Sequence, residues 1–156
     1  MEMTPIKLSY NVAIRIATEQ DMDSILNIYD ATFKDTVFLP RKYYQKHISR
    51  KEVKVLEINH QIVGAYVFEI NRLENLLTNR VCRDKRIKWL RQVMVDSTHQ
   101  NRGYGAILMK EFIDTKQGYY RLICEQHMIE WYIRFGFRII EEFPHNNKHL
   151  YTMELG

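Results

Sequence analysis

Gln100-Asn101-Arg102-Gly103-Tyr104-Gly105-Ala106 follows the apolar run Val93-Met94-Val95 and precedes the amphipathic run Ile107 to Ile113. A strand-like segment, a glycine-bearing turn and a helix start together make a place to hold phosphate. The first N–H groups of a helix have no internal partners, and the helix dipole favours negative charge there. Glycine permits a positive φ and lets an anion approach the backbone closely. Arg102 adds a fixed positive charge. The stretch therefore points to a ligand that carries a pyrophosphate.

Two common phosphate-binding patterns do not fit. A Walker loop needs G-x-x-x-x-G-K-[ST], and no such string occurs. The dinucleotide fingerprint G-x-G-x-x-G fails because position 108 is Leu. A strand, then Gln-x-x-Gly-x-Gly, then a helix resembles motif A of the GCN5-related N-acetyltransferases (GNAT). That family binds the pyrophosphate of acetyl-CoA in this way. By resemblance, Gln100, Asn101, Arg102, Gly103, Tyr104, Gly105 and Ala106 surround the pyrophosphate, and Met94 and Val95 contact the pantetheine arm.

The 156 residues suffice for one domain with its own core. The chain divides on sequence into a loose leader over 1–11 and a single domain over 12–156. A 46% hydrophobic and 27% charged composition is that of a globular protein. The formal charge of +4 suits an anionic ligand without implying nucleic acid, and the aromatics are not interleaved with Lys and Arg as in base-stacking modules. Cys82 and Cys124 make neither a disulfide framework nor a zinc site, and the histidines lack ligand spacing, so no metal is expected. No signal-peptide core and no apolar run near the ~20 residues of a membrane span are present. The expected setting is cytoplasmic.

Periodicity gives the element order. Val12–Ala17 reads as a strand. Thr18-Glu19-Gln20-Asp21 starts a helix that turns Met22, Ile25, Leu26, Ile28 and Tyr29 inward. A second helix starts after Pro40. Val53–Ile58 and Ile62–Ile70 form a hairpin around Asn59-His60-Gln61. Residues 71–86 are a charged excursion, and Ile87–Val95 is the fourth strand. The helix behind the glycine turn runs from Ala106 to Lys116. Tyr119–Cys124, a helix over Met128–Phe135, Arg138–Glu141 and His149–Leu155 complete the chain. The order β-α-α-β-β-β-α-β-α-β-β implies an α/β fold (a mixed sheet with packed helices) and is similar to that of the GNAT acyl-CoA N-acyltransferases from Val12 onward.

A second motif is Trp131-Tyr132-Ile133-Arg134-Phe135-Gly136-Phe137. Physically it is a helix end capped by Gly136, with Phe137 returning to the core. Tyr132-x-x-x-Gly136-Phe137 resembles GNAT motif B, whose tyrosine lies beside the coenzyme A sulfur and protonates the departing thiolate. A phenol is protonated at pH 7 and can donate as charge develops on sulfur. The resemblance thus assigns Tyr132 as general acid. It also implies an oxyanion contribution from backbone N–H near Val95. Two positions depart from the family pattern: Glu125 stands where Asn is frequent, and Ser97 where Pro is frequent.

An attacking amine must lose a proton. Glu125 is the preferred base. Glu69, Asp96, His127 and water remain open. The resemblance implies acetyl transfer to a small-molecule or peptide amine by direct attack in a ternary complex, with acetyl-CoA as co-substrate, by a monomer or homodimer. The acceptor surface is expected from the first two helices, their loop Ala31–Leu39 and the Phe143–Lys148 connection, with Asp30 and Asp35 attracting a cationic amine, or the arginines at 72, 80, 83, 86 and 91 and Lys88 favouring a carboxylate. The alternative is a catalytically silent acyl-CoA-binding module.

Overall fold

The computed structural model describes residues 11–33, 40–72, 86–113 and 119–156. Expectations about residues 1–10, residues 34–39 of the Ala31–Leu39 loop with Asp35, Arg80, Cys82, Arg83 and Lys116 lie outside the described residues, as do those about the side chains of Arg72 and Arg86.

The strands among the described residues are β1 (Val12–Ile16), β2 (Val53–Ile58), β3 (Gln61–Arg72), β4 (Arg86–Val95), β5 (Tyr119–Glu125), β6 (Arg138–His145) and β7 (Lys148–Leu155). The α-helices among the described residues are α1 (Met22–Thr32), α2 (Pro40–Ser49), α3 (Tyr104–Ile113) and α4 (Ile129–Ile133). The sheet order is β1-β2-β3-β4-β5-β7-β6. The β1–β2, β2–β3, β5–β7 and β6–β7 pairs are antiparallel, and β4–β5 is parallel. A parallel pair needs a crossover, and α3 lies in it. The expected mixed sheet and element order are those observed.

The chain divides into two compact units. The first comprises the described residues within Met1–Val67 and Gln92–Glu111. Its main cluster joins Ile25, Ile28 and Tyr29 of α1, Tyr44 and Ile48 of α2, Val53 and Val55 of β2, Ala65 and Val67 of β3, and Met94 of β4. The alternate residues of β2 and β3 are also shielded: Leu56 and Tyr66 are buried, as are Leu108 and Met109 of α3. Side chains on a strand alternate between faces, so both faces of β2 and β3 are covered.

Entry to α1 is fixed by polar contacts. The Asp21 carboxylate accepts the Thr18 N–H at 2.7 Å and two Arg15 N–H groups at 2.8 and 2.9 Å. Arg15 also donates to Glu57 at 3.0 Å. The Arg15 guanidinium, and then the Thr18 N–H, hold the nearly buried Asp21 carboxyl below the usual carboxylate range despite desolvation. A depressed folded pKa supplies stability above the unfolded pKa and loses it as pH falls through the folded one. Asp21→Asn should lower stability at neutral pH by about 2 kcal/mol, the scale for a hydrogen bond to a charged group. The deficit should narrow below pH ~4, where the unfolded carboxyl protonates. Urea unfolding at pH 7 and pH 3 measures both numbers.

The second unit comprises the described residues within Phe68–Arg91 and Phe112–Gly156. Ile87, Leu90, Phe112, Tyr120, Leu122, Phe137 and Met153 are buried in it, with Phe112 and Tyr120 packed edge to face at 5.5 Å. The β4–β5 ladder runs from Ile87–Tyr119 to Leu90–Leu122. Glu154 is bracketed by Arg121 at 2.8 Å and Arg138 at 3.1 Å.

Several strand ends shift by one or two residues, and three boundaries differ for a physical reason. Helix α3 starts at Tyr104, two residues early, because Gly103 serves as its N-cap: Ile107 N–H donates to Gly103 C=O at 3.1 Å. Helix α4 is shortened by a 3₁₀ turn over Gln126–Met128. The expected Phe143–Lys148 connection is mostly strand. Phe143, Pro144 and His145 pair with Leu150, His149 and Lys148, leaving Asn146-Asn147 as the turn. Their φ values of 48° and 65° are what a two-residue hairpin with a type I′ turn requires. Pro144 is tolerated because β6 ends the sheet order. Among the described residues no helix is long and apolar enough to cross a membrane.

Candidate functional site

In the first unit, the chain leaves β4 with Asp96 N–H donating to Val63 C=O at 2.7 Å. A 3₁₀ turn over Ser97–His99 follows. Gln100 Nε2 reaches back to Val95 C=O at 3.2 Å, closing the turn onto the strand end. Asn101 (φ 63°) and Gly103 (φ 85°) both take left-handed backbone. A Cβ built on Gly103 would meet no atom within 4 Å. Above this glycine there is open space, and the N–H groups of residues 104–106 precede the first intrahelical bond. Asn101, Arg102 and Gly103 are exposed, and Tyr104, Gly105 and Ala106 half-buried. Met94 is buried and Val95 half-buried at the strand end.

The sequence reading passed over Gly64. A Cβ there would lie 3.0 Å from Met94 O and 3.1 Å from Leu108 Cδ1. Its missing side chain lets α3 lie close on β3. A lone glycine inside a strand pattern is the local signal of such an approach.

Asp96 was one possible base. Its carboxylate accepts from Thr98 Oγ1 at 2.6 Å and pairs with His99 Nδ1 at 3.0 Å. The Thr98 hydroxyl first, then His99, hold it below the usual carboxylate range, which makes it a weak proton acceptor.

In the second unit, Tyr132 owes its placement to the end of α4. Gly136 N–H donates to Ile133 C=O at 2.9 Å and Phe137 N–H to Tyr132 C=O at 3.3 Å. With Gly136 at φ 97° this is a Schellman cap. The cap sets the Phe137 ring 6.1 Å from the Tyr132 ring. Tyr132 is 7% exposed. Burial pushes its phenol well above the ordinary tyrosine value, with the nearby Cys124 adding to the shift. Its hydroxyl has no hydrogen-bond partner recorded among the described residues, and no fully buried polar side-chain atom there lacks one. The hydroxyl therefore keeps an open edge.

Cys124 lies near the end of β5, its thiol donating to Met153 Sδ at 3.7 Å. Burial, with Glu125 next to it, pushes this thiol up to about 11. Glu125 is exposed at the strand end, 3.4 Å from Lys148 Nζ. Glu69 is ion-paired with Arg91. Each carboxylate offered as a base thus already faces a cation or a His ring.

The acetyltransferase (GNAT) domain model matches residues 49–139, more than half of the chain. The chain belongs to the GNAT acetyltransferase family. No curated protein sequence matches it. Among solved structures, GNAT folds of low identity superpose over almost its full length. Arabidopsis thaliana Naa50, in complex with the bisubstrate analogue CoA-Ac-MVNAL, is 18% identical with a TM-score of 0.71 and covers 93% of this chain and 98% of its own. Arabidopsis thaliana NAA60, in complex with acetyl-CoA, is 13% identical at 0.71, covering 92% and 97%. The loading GNATL domain of CurA from Lyngbya majuscula is 12% identical at 0.74, covering 92% and 96%. At these identities the likeness is one of fold.

Proposed function

We propose that this GNAT protein is an acetyl-CoA-dependent N-acetyltransferase that moves the acetyl group to a primary amine within a ternary complex. The observation that carries the reading is the α3 N-terminus, where open space lies over Gly103 beside N–H groups that precede the first helical bond. This is chemistry for a pyrophosphate. Gln100, Asn101, Arg102, Gly103, Tyr104, Gly105 and Ala106 hold it in this reading, while Met94 and Val95 meet the pantetheine arm. The β4–β5 ladder ends at Leu90–Leu122 while β4 continues through Arg91–Val95, which supports an arm that pairs with strand backbone. Residues 12–156 act as one catalytic domain.

The amine nitrogen attacks the thioester carbonyl, the C–S bond breaks, and Tyr132 gives its proton to the leaving sulfur. Backbone N–H near Val95 stabilises the oxyanion. The amine proton leaves to Glu125, directly or through water. Burial that keeps Tyr132 protonated would also raise the proton affinity of a thiolate leaving nearby, as it does for Cys124. Donor and acceptor therefore shift together.

The acceptor is a small-molecule or peptide amine. The peptide-bearing analogue of Naa50 supports a peptide end. An open hollow of about 460 Å3 lined by Leu26, Asp30, Pro40, Arg41, Lys42 and Gln45 supports an acceptor near α1 and α2, where Asp30 suits the amine and Arg41 and Lys42 suit an acceptor that also carries a carboxylate. The silent acyl-CoA module is the second reading, favoured by the partners of Asp96, Glu69 and Glu125.

Calorimetric titration with acetyl-CoA, CoA and ATP tests the reading. Micromolar acetyl-CoA binding with ATP much weaker is expected, and no binding would end it. Thiol release over an amine panel then separates enzyme from silent module. Direct attack carries its own expectation. A thiol pushed up to about 11 is neutral at pH 7, so Cys124→Ser should leave turnover within about twofold. Abolished turnover with intact acetyl-CoA affinity would instead overturn direct attack.

A further inference from the structure

Glu111 lies on α3, two helical turns beyond the glycine turn. Its Oε1 accepts from the Tyr66 hydroxyl at 2.5 Å and from Lys54 Nζ at 3.1 Å, and Oε2 lies 3.4 Å from the same Nζ. Lys54 on β2 and Tyr66 on β3 stand opposite each other in the ladder, so they share a face. Gly64, two residues before Tyr66, is on that face too, and Leu108, one turn before Glu111, fills the space above it. Helix α3 is thus seated on β3 at two successive points: a steric one at Gly64–Leu108 and a polar one at Tyr66–Glu111–Lys54. Tyr66 is 1% exposed, so the polar point is anchored in the core.

Two points along one axis fix where a helix lies along a strand. From Glu111 to Gly103 is about 12 Å at the helical rise per residue. Over that length a helix moves as a rod, so slippage at Glu111 displaces the N–H groups of residues 104–106. Hydrogen bonds to an anion lose strength steeply with misalignment.

We propose that Glu111, held by Tyr66 and Lys54, is a positioning residue for the anion-binding end of α3. This rests on the coenzyme A reading above. It concerns the phosphates, not the thioester arm, and that separates it from a general loss of stability.

The experiment titrates CoA and S-acetylpantetheine, which lacks the phosphates, into wild type, Glu111→Ala, Glu111→Gln and Tyr66→Phe. Thermal unfolding of each variant is recorded alongside. Glu111→Ala and Tyr66→Phe should weaken CoA by about tenfold, the scale of one lost charge-assisted contact, with S-acetylpantetheine unchanged. Glu111→Gln keeps an oxygen for Tyr66 and should retain most of the CoA affinity. Tyr66→Phe removes a single oxygen and serves if Glu111→Ala does not fold. Equal losses for both ligands, or undiminished CoA affinity in both folded variants, would overturn the proposal. A wild type that binds S-acetylpantetheine as tightly as CoA would remove the pyrophosphate reading itself, and that is seen without any substitution.

Discussion

Gly103→Asp should abolish coenzyme A binding, by about 100-fold or more, in a protein that still folds. Gly103 sits at φ 85°, and the position of its missing Cβ faces empty space. A side chain there meets no protein atom, so the folded chain gains no clash. The backbone strain is modest, since Asp is among the side chains that tolerate this region best. Asp is also a favoured N-cap, and its carboxylate can accept the N–H groups of the first turn. The substitution thus supplies an internal anion where the ligand's phosphate is expected. Two effects then add: the donors are occupied, and the new carboxylate repels the like charge of the phosphates at close range. Calorimetry for affinity and thermal unfolding for integrity measure the result together. Gly103→Ala, which fills less space and carries no charge, should lose far less. If folded Gly103→Asp binds CoA like wild type, the turn is not the phosphate site and the cofactor assignment falls with it.

The parts of this fold that were legible in the sequence are those written in local chemistry. Thr18 and Asp21 announce the entry to α1, and the structure pairs them through the Thr18 N–H. Gly136 after an aromatic helix announces a C-cap, and the cap bonds are present. The glycine turn after Val95 was legible because strand, glycines and helix follow within a few residues. Boundaries blurred where one residue type serves two roles. Phe143–Lys148 was expected as a connection, yet a proline on the last strand of a sheet costs little, so Phe143, Pro144 and His145 pair as strand and Asn146-Asn147 carry the turn. What stayed hidden depends on long-range pairing. Glu111 meets Lys54 across 57 positions and Tyr66 across 45, and nothing in the periodicity of α3 distinguishes Glu111 from a solvated surface charge. The base is hidden for a similar reason: Asp96, Glu69 and Glu125 read as free carboxylates in sequence, and each has a partner.

Tyr132→Phe should lower kcat by about 100-fold to 10,000-fold, the range for a positioned general acid, while acetyl-CoA affinity changes little. The change removes one oxygen and keeps the ring. The Phe137 packing at 6.1 Å and the backbone bonds of the Gly136 cap do not involve that oxygen, so the α4 terminus should stay in place. The hydroxyl has no recorded hydrogen-bond partner among the described residues, so its loss orphans no protein group there. A purely packing tyrosine would therefore give a variant with unchanged or slightly higher stability and unchanged turnover. An acid for the leaving thiolate gives a different pattern: binding intact, the chemical step slow. The pattern should also depend on the leaving group. With an acyl donor whose thiol is more acidic than that of coenzyme A, the leaving sulfur needs less protonation, so the wild-type advantage over Tyr132→Phe should shrink. Burial holds the phenol above its ordinary value, so wild-type activity should show no loss of this acid up to pH ~10, the ordinary tyrosine value. Rates for two donors across that pH range, in wild type and Tyr132→Phe, decide the role. Unchanged turnover would assign Tyr132 to packing, and an equal deficit for both donors would rule out proton transfer to the leaving sulfur.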